Sequence, residues 1–128
     1  MSKQYADSEE LQKKILSGVN KLANNVAATL GPKGRNVILA RKGSNPIVTK
    51  DGVTVAKFID FEDPFENAAA QLIKQAATET NNLAGDGTTT STVLARAIYC
   101  KSQKYLLAGA SPVDLKRGMD KAVEQIVR

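Results

Sequence analysis

The chain has no histidine, no tryptophan and a single cysteine in 128 residues. Without histidine, Ser-His-Asp and Cys-His nucleophile chemistry is excluded, together with most transition-metal sites. With Cys100 alone there is no intrachain disulfide and no multi-cysteine zinc site, and a buried, inert thiol is the expected role. Aromatic residues make up only 5%, three Phe and three Tyr, which leaves few rings on which nucleobases could stack. No stretch reaches the ~20 consecutive apolar residues of a membrane span. The polar start MSKQYADSEE is not a secretory signal, so the expected location is cytoplasmic. Carboxylates, hydroxyls, lysines, backbone amides and hard cations are what remain for chemistry.

The composition is that of an ordinary globular domain, 42% hydrophobic and 24% charged, and the length suits one domain over 1–128. Lys and Arg outnumber Asp and Glu by 18 to 13, a formal charge of +5. That balance suits a nucleotide or an acidic partner surface. The basic residues are scattered rather than clustered, so no nucleic-acid partner is expected.

Apolar periodicity predicts a mainly α fold. Leu11, Ile15, Leu16, Val19, Leu22, Ala23, Val26, Ala27 and Leu30 recur at three- and four-residue spacing, a long amphipathic helix from Glu9 to about Leu30 that Gly31-Pro32 should stop. NVILA (36–40) and PIVTK (46–50) read as a small hairpin, and Asp51-Gly52 as a turn. Val53–Ala56 fits either an extended or a helical segment. A second helix is expected over Phe65–Leu83, with Phe65, Ala69, Leu72, Ile73, Ala76, Ala77 and Thr80 on one face, and a third over Thr88–Leu107, with Val93, Leu94, Ala97, Ile98, Tyr105 and Leu106 inward. A fourth opens at Ser111-Pro112-Val113-Asp114, Ser111 as N-cap and Pro112 at the first helical position, with a stripe of Leu115, Met119, Ala122, Val123 and Ile126. Its periodicity runs to Arg128 without a stop signal, the pattern expected of one piece of a longer protein.

AGDGTTT (84–90) lies between the second and third helices. Gly85 and Gly87 allow close approach to the backbone, and the next helix aims its unpaired N–H groups back at the loop. With the hydroxyls of Thr88, Thr89 and Thr90, such a turn can hold a phosphate. Asp86 beside a phosphate would need a cation between them, and Mg²⁺ binds through one or two carboxylates plus phosphate oxygens. Asp86 and a threonine could equally cap the helix with no ligand at all, and local sequence leaves both readings open. Two further loops share this chemistry: Thr29-Leu30-Gly31-Pro32-Lys33-Gly34-Arg35, with exposed amides and cations, and Thr49-Lys50-Asp51-Gly52, with a second carboxylate. If the fold brings the three together, they make a site with amides, a metal carboxylate and a carboxylate able to orient a water. Neither the G-x-x-x-x-G-K-[ST] loop nor G-x-G-x-x-G after a strand occurs.

TLGPKGRNVIL, TKDGVTVAK, FEDPFENAAAQLIKQAA, TNNLAGDGTTTSTVLARAI and GASPVDLKRGMDKAV, in this order and spacing, resemble the N-terminal part of a group I chaperonin, the GroEL family. The resemblance spans nearly the whole chain. It implies a chaperonin equatorial-domain-like helical bundle with a small β-hairpin, incomplete at its C-terminus, that binds ATP with Mg²⁺ and K⁺ and contacts neighbouring subunits. By resemblance Thr29, Leu30, Gly31 and Pro32 line the nucleotide and its phosphates, and Thr29 and Lys50 also approach K⁺. Asp86 is the implied Mg²⁺ ligand, Gly87, Thr88, Thr89 and Thr90 cradle the phosphates, and Asp51 is the implied catalytic residue near the γ-phosphate. The hairpin around Arg41–Asn45 and the segment Lys3-Gln4-Tyr5 resemble the family's inter-subunit elements.

Family chains are several times longer, form homo-oligomers with heptameric rings, and fold unfolded client proteins with a co-chaperonin through regions outside this segment. A second hydrolytic aspartate and the base pocket also lie outside it, so negligible turnover is expected of the chain alone. FENAAAQ and AIYCKSQKYLLAG depart from the family's usual wording and bear on helix packing and ring contacts. The resemblance thus implies the ATP-binding, subunit-contact segment of a protein-folding chaperonin. The alternative is a short stand-alone interaction or assembly module without ATPase activity.

Overall fold

A computed structural model describes residues 7–31 and 33–127. The expected N-terminal strand at Lys3-Gln4-Tyr5 and the expected ligand residue Pro32 lie outside the described residues. The order of elements is α1 (Ser8–Ala27), β1 (Val37–Leu39), β2 (Ile47–Thr49), α2 (Gly52–Phe58), α3 (Pro64–Ala84), α4 (Thr88–Leu107) and α5 (Pro112–Ile126), the mainly α fold with one hairpin that the sequence predicts. The chain divides into two units, Met1–Arg96 and Ala97–Arg128.

In the first unit, α1 packs chiefly on α3. Asp7 starts α1 by accepting the Glu10 N–H at 2.9 Å, and Val19, Leu22, Ala23 and Val26 form its buried stripe. The helix stops at Ala27, three residues short of the Leu30 expected from the apolar spacing. There the chain tightens into i→i+3 bonds, Thr29 N–H to Val26 C=O and Leu30 N–H to Ala27 C=O, and Gly31 turns it away at φ +76°.

Asp63 caps α3, accepting the Phe65 and Glu66 N–H groups, with Pro64 in the first turn. Where α1 crosses α3, the two backbones touch: a Cβ on Gly18 would overlap the Glu66 carbonyl oxygen. Lys21 pairs with Glu66 at 2.7 Å and Lys14 with Asp63 at 2.9 Å across the same crossing. The hydrogen bond from Lys14, then the one from the Glu66 N–H, holds the Asp63 carboxyl below its ordinary value, and the same pairing raises Lys14.

So close a crossing favours small side chains. Ala69, Ala70 and Ala77 are the buried positions of α3, whereas Leu72, expected inside, is 68% exposed and Ala76 is open as well. The core around them joins Leu22, Val26, Leu39, Val55, Ala56 and Ala70, backed by Phe58, Phe61 and Ile73. Full burial of each Val or Leu contributes about 1.5–3 kcal/mol.

The hairpin pairs Val37 with Thr49, Ile38 with Val48 and Leu39 with Ile47. Its alternation buries Leu39 and leaves Ile38 and Val48 outward. Val53–Ala56 is helical, because Asp51 caps α2 through the Val53 N–H and the Thr54 hydroxyl.

The second unit holds the C-terminal part of α4 and α5, joined by a turn in which Gly109 takes φ +97°. Ser111 stands at the N-cap of α5 with Pro112 following, but its side chain makes no capping bond. The inward stripes expected here are open: in α4, Ile98 and Tyr105, and in α5, Met119, Val123 and Ile126 are all exposed, and no residue of α5 is buried. In the first unit, Leu94 of α4 is likewise exposed, while Thr88 and Thr92 are that helix's buried residues. Ile98, Tyr105, Leu115 and Met119 line an open groove of about 730 Å³ within the second unit. Cys100 is half-buried.

Candidate functional site

Three loops of the first unit meet around one cavity of about 520 Å³. Its lining comprises Thr29, Leu30 and Gly31 after α1, Lys50, Asp51, Gly52 and Val53 at the start of α2, and Gly85 through Thr90 between α3 and α4, with Asn81 from the last turn of α3. Thr29, Leu30, Gly31, Lys50, Asp51 and Asp86–Thr90, the candidate ligand residues, lie on this wall, whereas Lys33 and Arg35, the cations of the first loop, do not line it.

Each loop has a local reason for its shape. The Thr29 hydroxyl donates to the Val26 carbonyl at 2.7 Å, and Arg35 N–H returns to the Ala28 carbonyl at 2.8 Å, which closes the loop on the end of α1. Asp51 N–H donates to the Thr49 hydroxyl at 3.0 Å as β2 ends. Both oxygens of the Asp51 carboxylate then serve as a cap, Oδ1 accepting the Val53 N–H at 3.2 Å and Oδ2 the Thr54 hydroxyl at 2.8 Å. Each of those oxygens keeps a second lone pair.

In AGDGTTT, Gly85 ends α3 in the left-handed conformation (φ 71°), its N–H bonded to the Asn81 carbonyl at 2.7 Å, and Gly87 takes φ +90°. Asp86 Oδ1 accepts the Gly87 N–H at 2.7 Å, so it folds the turn rather than capping the second or third residue of α4. Asp86 and Thr90 are exposed, Thr89 is half-buried and Thr88 is buried.

Gly52 is the point where the loops lock. A Cβ there would overlap the Thr89 hydroxyl, with the Thr29 hydroxyl at 3.2 Å and the Thr89 Cβ at 3.3 Å. The α2 start is thus held between the other two loops, a close approach open only to a residue without a side chain. Among the described residues, Thr88 Oγ1 is the one buried side-chain oxygen or nitrogen without a hydrogen-bond partner, although the Thr88 carbonyl accepts the Ser91 and Thr92 hydroxyls. Such an orphan costs about 1–3 kcal/mol unless something bonds to it.

The arrangement presents amides and an ammonium (Lys50) as donors, and Asp86 as a carboxylate with one oxygen unengaged among the described residues. Among the described residues no cluster of three or more Asp, Glu, His or Cys could hold a metal alone, so a cation here would need oxygens from other groups and from its ligand. Sequence reading missed Asn81 and Val53. The available signal for Asn81 was its position four residues before Gly85, which puts it on the helix turn that the glycine cap closes. A second cavity of about 530 Å³ between α2, α3 and the start of α4 shares Val53, Asn81 and Thr88 with the first.

The model of the TCP-1/cpn60 chaperonin family matches residues 22–128, which takes in all three loops. Among solved structures, the chain is similar to a group III chaperonin in its open state, at 32% identity over 91% of this chain with a TM-score of 0.76. It is also similar to the chaperonin gp146 of the Pseudomonas aeruginosa bacteriophage EL, crystallised in the presence of ATP-BeFx, at 31% identity over 93% of this chain with a TM-score of 0.77. The chain spans 23% and 20% of the lengths of those two proteins. Fold, motif order and matched region agree, and the chain belongs to the TCP-1/cpn60 chaperonin family.

Proposed function

We propose that the three-loop cavity binds ATP with Mg²⁺, and that the chain is the nucleotide-binding, subunit-contact segment of an equatorial domain in a chaperonin that couples ATP binding and hydrolysis to protein folding. The wording of the motifs favours the group I branch. The observation that carries the reading is the convergence of Thr29–Gly31, Lys50–Gly52 and Asp86–Thr90 on one cavity, with Gly52 held between Thr29 and Thr89.

The residues present fit the ligand. The first turn of α4 has N–H groups without helical partners, which together with the helix dipole favour phosphate oxygens. Gly87, with no side chain, lets a phosphate reach those amides, and the hydroxyls of Thr88, Thr89 and Thr90 add donors; a phosphate oxygen would also satisfy the orphan Thr88 Oγ1. Leu30 and Gly31 would line the nucleotide. Lys50 offers a positive charge, and its region with Thr29 would take K⁺ by family resemblance. Asp86 would hold Mg²⁺, which when bound supplies charge neutralisation between phosphate oxygens. Asp51, kept in place by its capping bonds to Val53 and Thr54, would use its remaining lone pairs to orient a water.

Subunit contact in a homo-oligomer, heptameric in the resembled family, rests on the outward Ile38 and Val48 of the hairpin and on the open apolar groove of the second unit. Among the described residues no helix is long and apolar enough to cross a membrane, and a cytoplasmic site of action accords with the family. The exposed face of α5 also suits the reading of a stand-alone interaction module without ATPase activity. Calorimetric titration with ATP, with and without Mg²⁺, separates the two: saturable Mg²⁺-dependent binding lost in Asp86→Ala supports the nucleotide site, and no binding supports the module.

A further inference from the structure

We propose that Asn81 is a positioning residue for the cation of this site, its side-chain Oδ1 accepting from the cation's water shell or meeting the cation itself; the inference rests on the nucleotide reading above. The argument begins with an inventory of oxygens. Asp51 spends both carboxylate oxygens on capping α2, and Asp86 spends one on the Gly87 N–H. Carboxylate oxygens open to a hard cation are few, and no carboxylate cluster makes up the difference among the described residues. A hard cation of the Mg²⁺ type wants about six oxygens, several of them waters that must themselves be held by acceptors.

Asn81 supplies one neutral oxygen donor on this wall. It is half-buried, lines the cavity, and its side-chain amide makes no hydrogen bond among the described residues, though its carbonyl accepts the Gly85 N–H. That backbone bond fixes it to the turn carrying Asp86, so the two oxygens are placed by one element. Thr88, 6% exposed and with its Oγ1 lacking a partner, lines both of the cavities that Asn81 lines. The buried Thr88 Oγ1 is the orphan that calls for a partner, and Asn81 places an open side-chain amide on the same wall of this polar cavity.

The test is the Mg²⁺ concentration needed for half-maximal ATP binding, measured on the purified chain alongside metal-free ATP binding. Asn81→Ala is expected to raise the Mg²⁺ requirement roughly ten-fold with metal-free ATP binding unchanged. Asn81→Asp keeps the oxygen and adds charge, so it should keep the Mg²⁺ requirement at or below wild type while weakening metal-free binding. Asn82→Ala, which alters the second cavity alone, should change neither. An unchanged Mg²⁺ requirement in Asn81→Ala, or equal losses with and without metal, overturns the assignment while leaving the nucleotide site standing. A wild-type chain that binds no ATP overturns both.

Discussion

Replacing Gly52 by alanine tests the lock between the loops. The new Cβ would overlap the Thr89 hydroxyl and meet the Thr29 hydroxyl at 3.2 Å and the Thr89 Cβ at 3.3 Å. Thr89 is β-branched and sits in the first turn of a helix, so its χ1 has little freedom to move aside, and overpacking of this kind costs about 1–3 kcal/mol. Against that, alanine is better than glycine in a helix by up to about 1 kcal/mol, reduced at the first position of α2. The net expectation is a loss of about 1–2 kcal/mol in a denaturant-unfolding assay. The companion variant Thr89→Ala removes the overlapping atom, so Gly52→Ala should cost much less in that background, a coupling of about 1 kcal/mol in the double-mutant cycle. Nucleotide affinity should fall with the first substitution. If Gly52→Ala matches wild type in stability, or if the two substitutions simply add, the three loops are not locked at this residue.

Two further perturbations probe the scaffold beneath the site. Gly18→Ala drives a Cβ into the Glu66 carbonyl, a backbone group that cannot rotate away, and thermal or denaturant unfolding should show a loss of about 1–3 kcal/mol or more. Asp63→Asn keeps a capping side chain but loses the charge paired with Lys14. Because the Asp63 carboxyl lies below its ordinary 3.8 in the folded chain, its contribution is present above pH 3.8 and fades as pH falls through the folded value. The stability gap between wild type and Asp63→Asn, read by denaturant midpoints across pH, should therefore be open at neutral pH and close in acid.

Much of this was legible from residue order. The main helices and the hairpin follow from periodicity, Ser111-Pro112 marks the start of α5, and the three loops carried their chemistry in Gly, Asp and Thr at close spacing, whereas the Asp63 cap of α3 emerges only in the structure. What escaped had physical causes. Hydrophobicity points Leu72 inward, but where Gly18 meets the Glu66 backbone α3 buries Ala69, Ala70 and Ala77 and packs Ile73 on the core, while Leu72 faces out. Val53–Ala56 carries β-branched residues that suit a strand, and the Asp51 cap with Thr54 decides for a helix. The end of α1 at Ala27 reflects the pull of the Thr29 side chain on the Val26 carbonyl, a local bond that apolar spacing does not record. Asn81 lay outside AGDGTTT, and the closure of α3 on Gly85 brings it to the cavity.

The central claim is that the three loops form one nucleotide site, and residue-resolved amide NMR during an ATP–Mg²⁺ titration tests it most directly. The amides of Thr29–Gly31, Asp51–Gly52 and Gly87–Thr90 should shift together along a single binding curve, and Asp86→Ala should abolish all three responses when Mg²⁺ is present. Shifts confined to one loop, or curves with different midpoints for different loops, would contradict it.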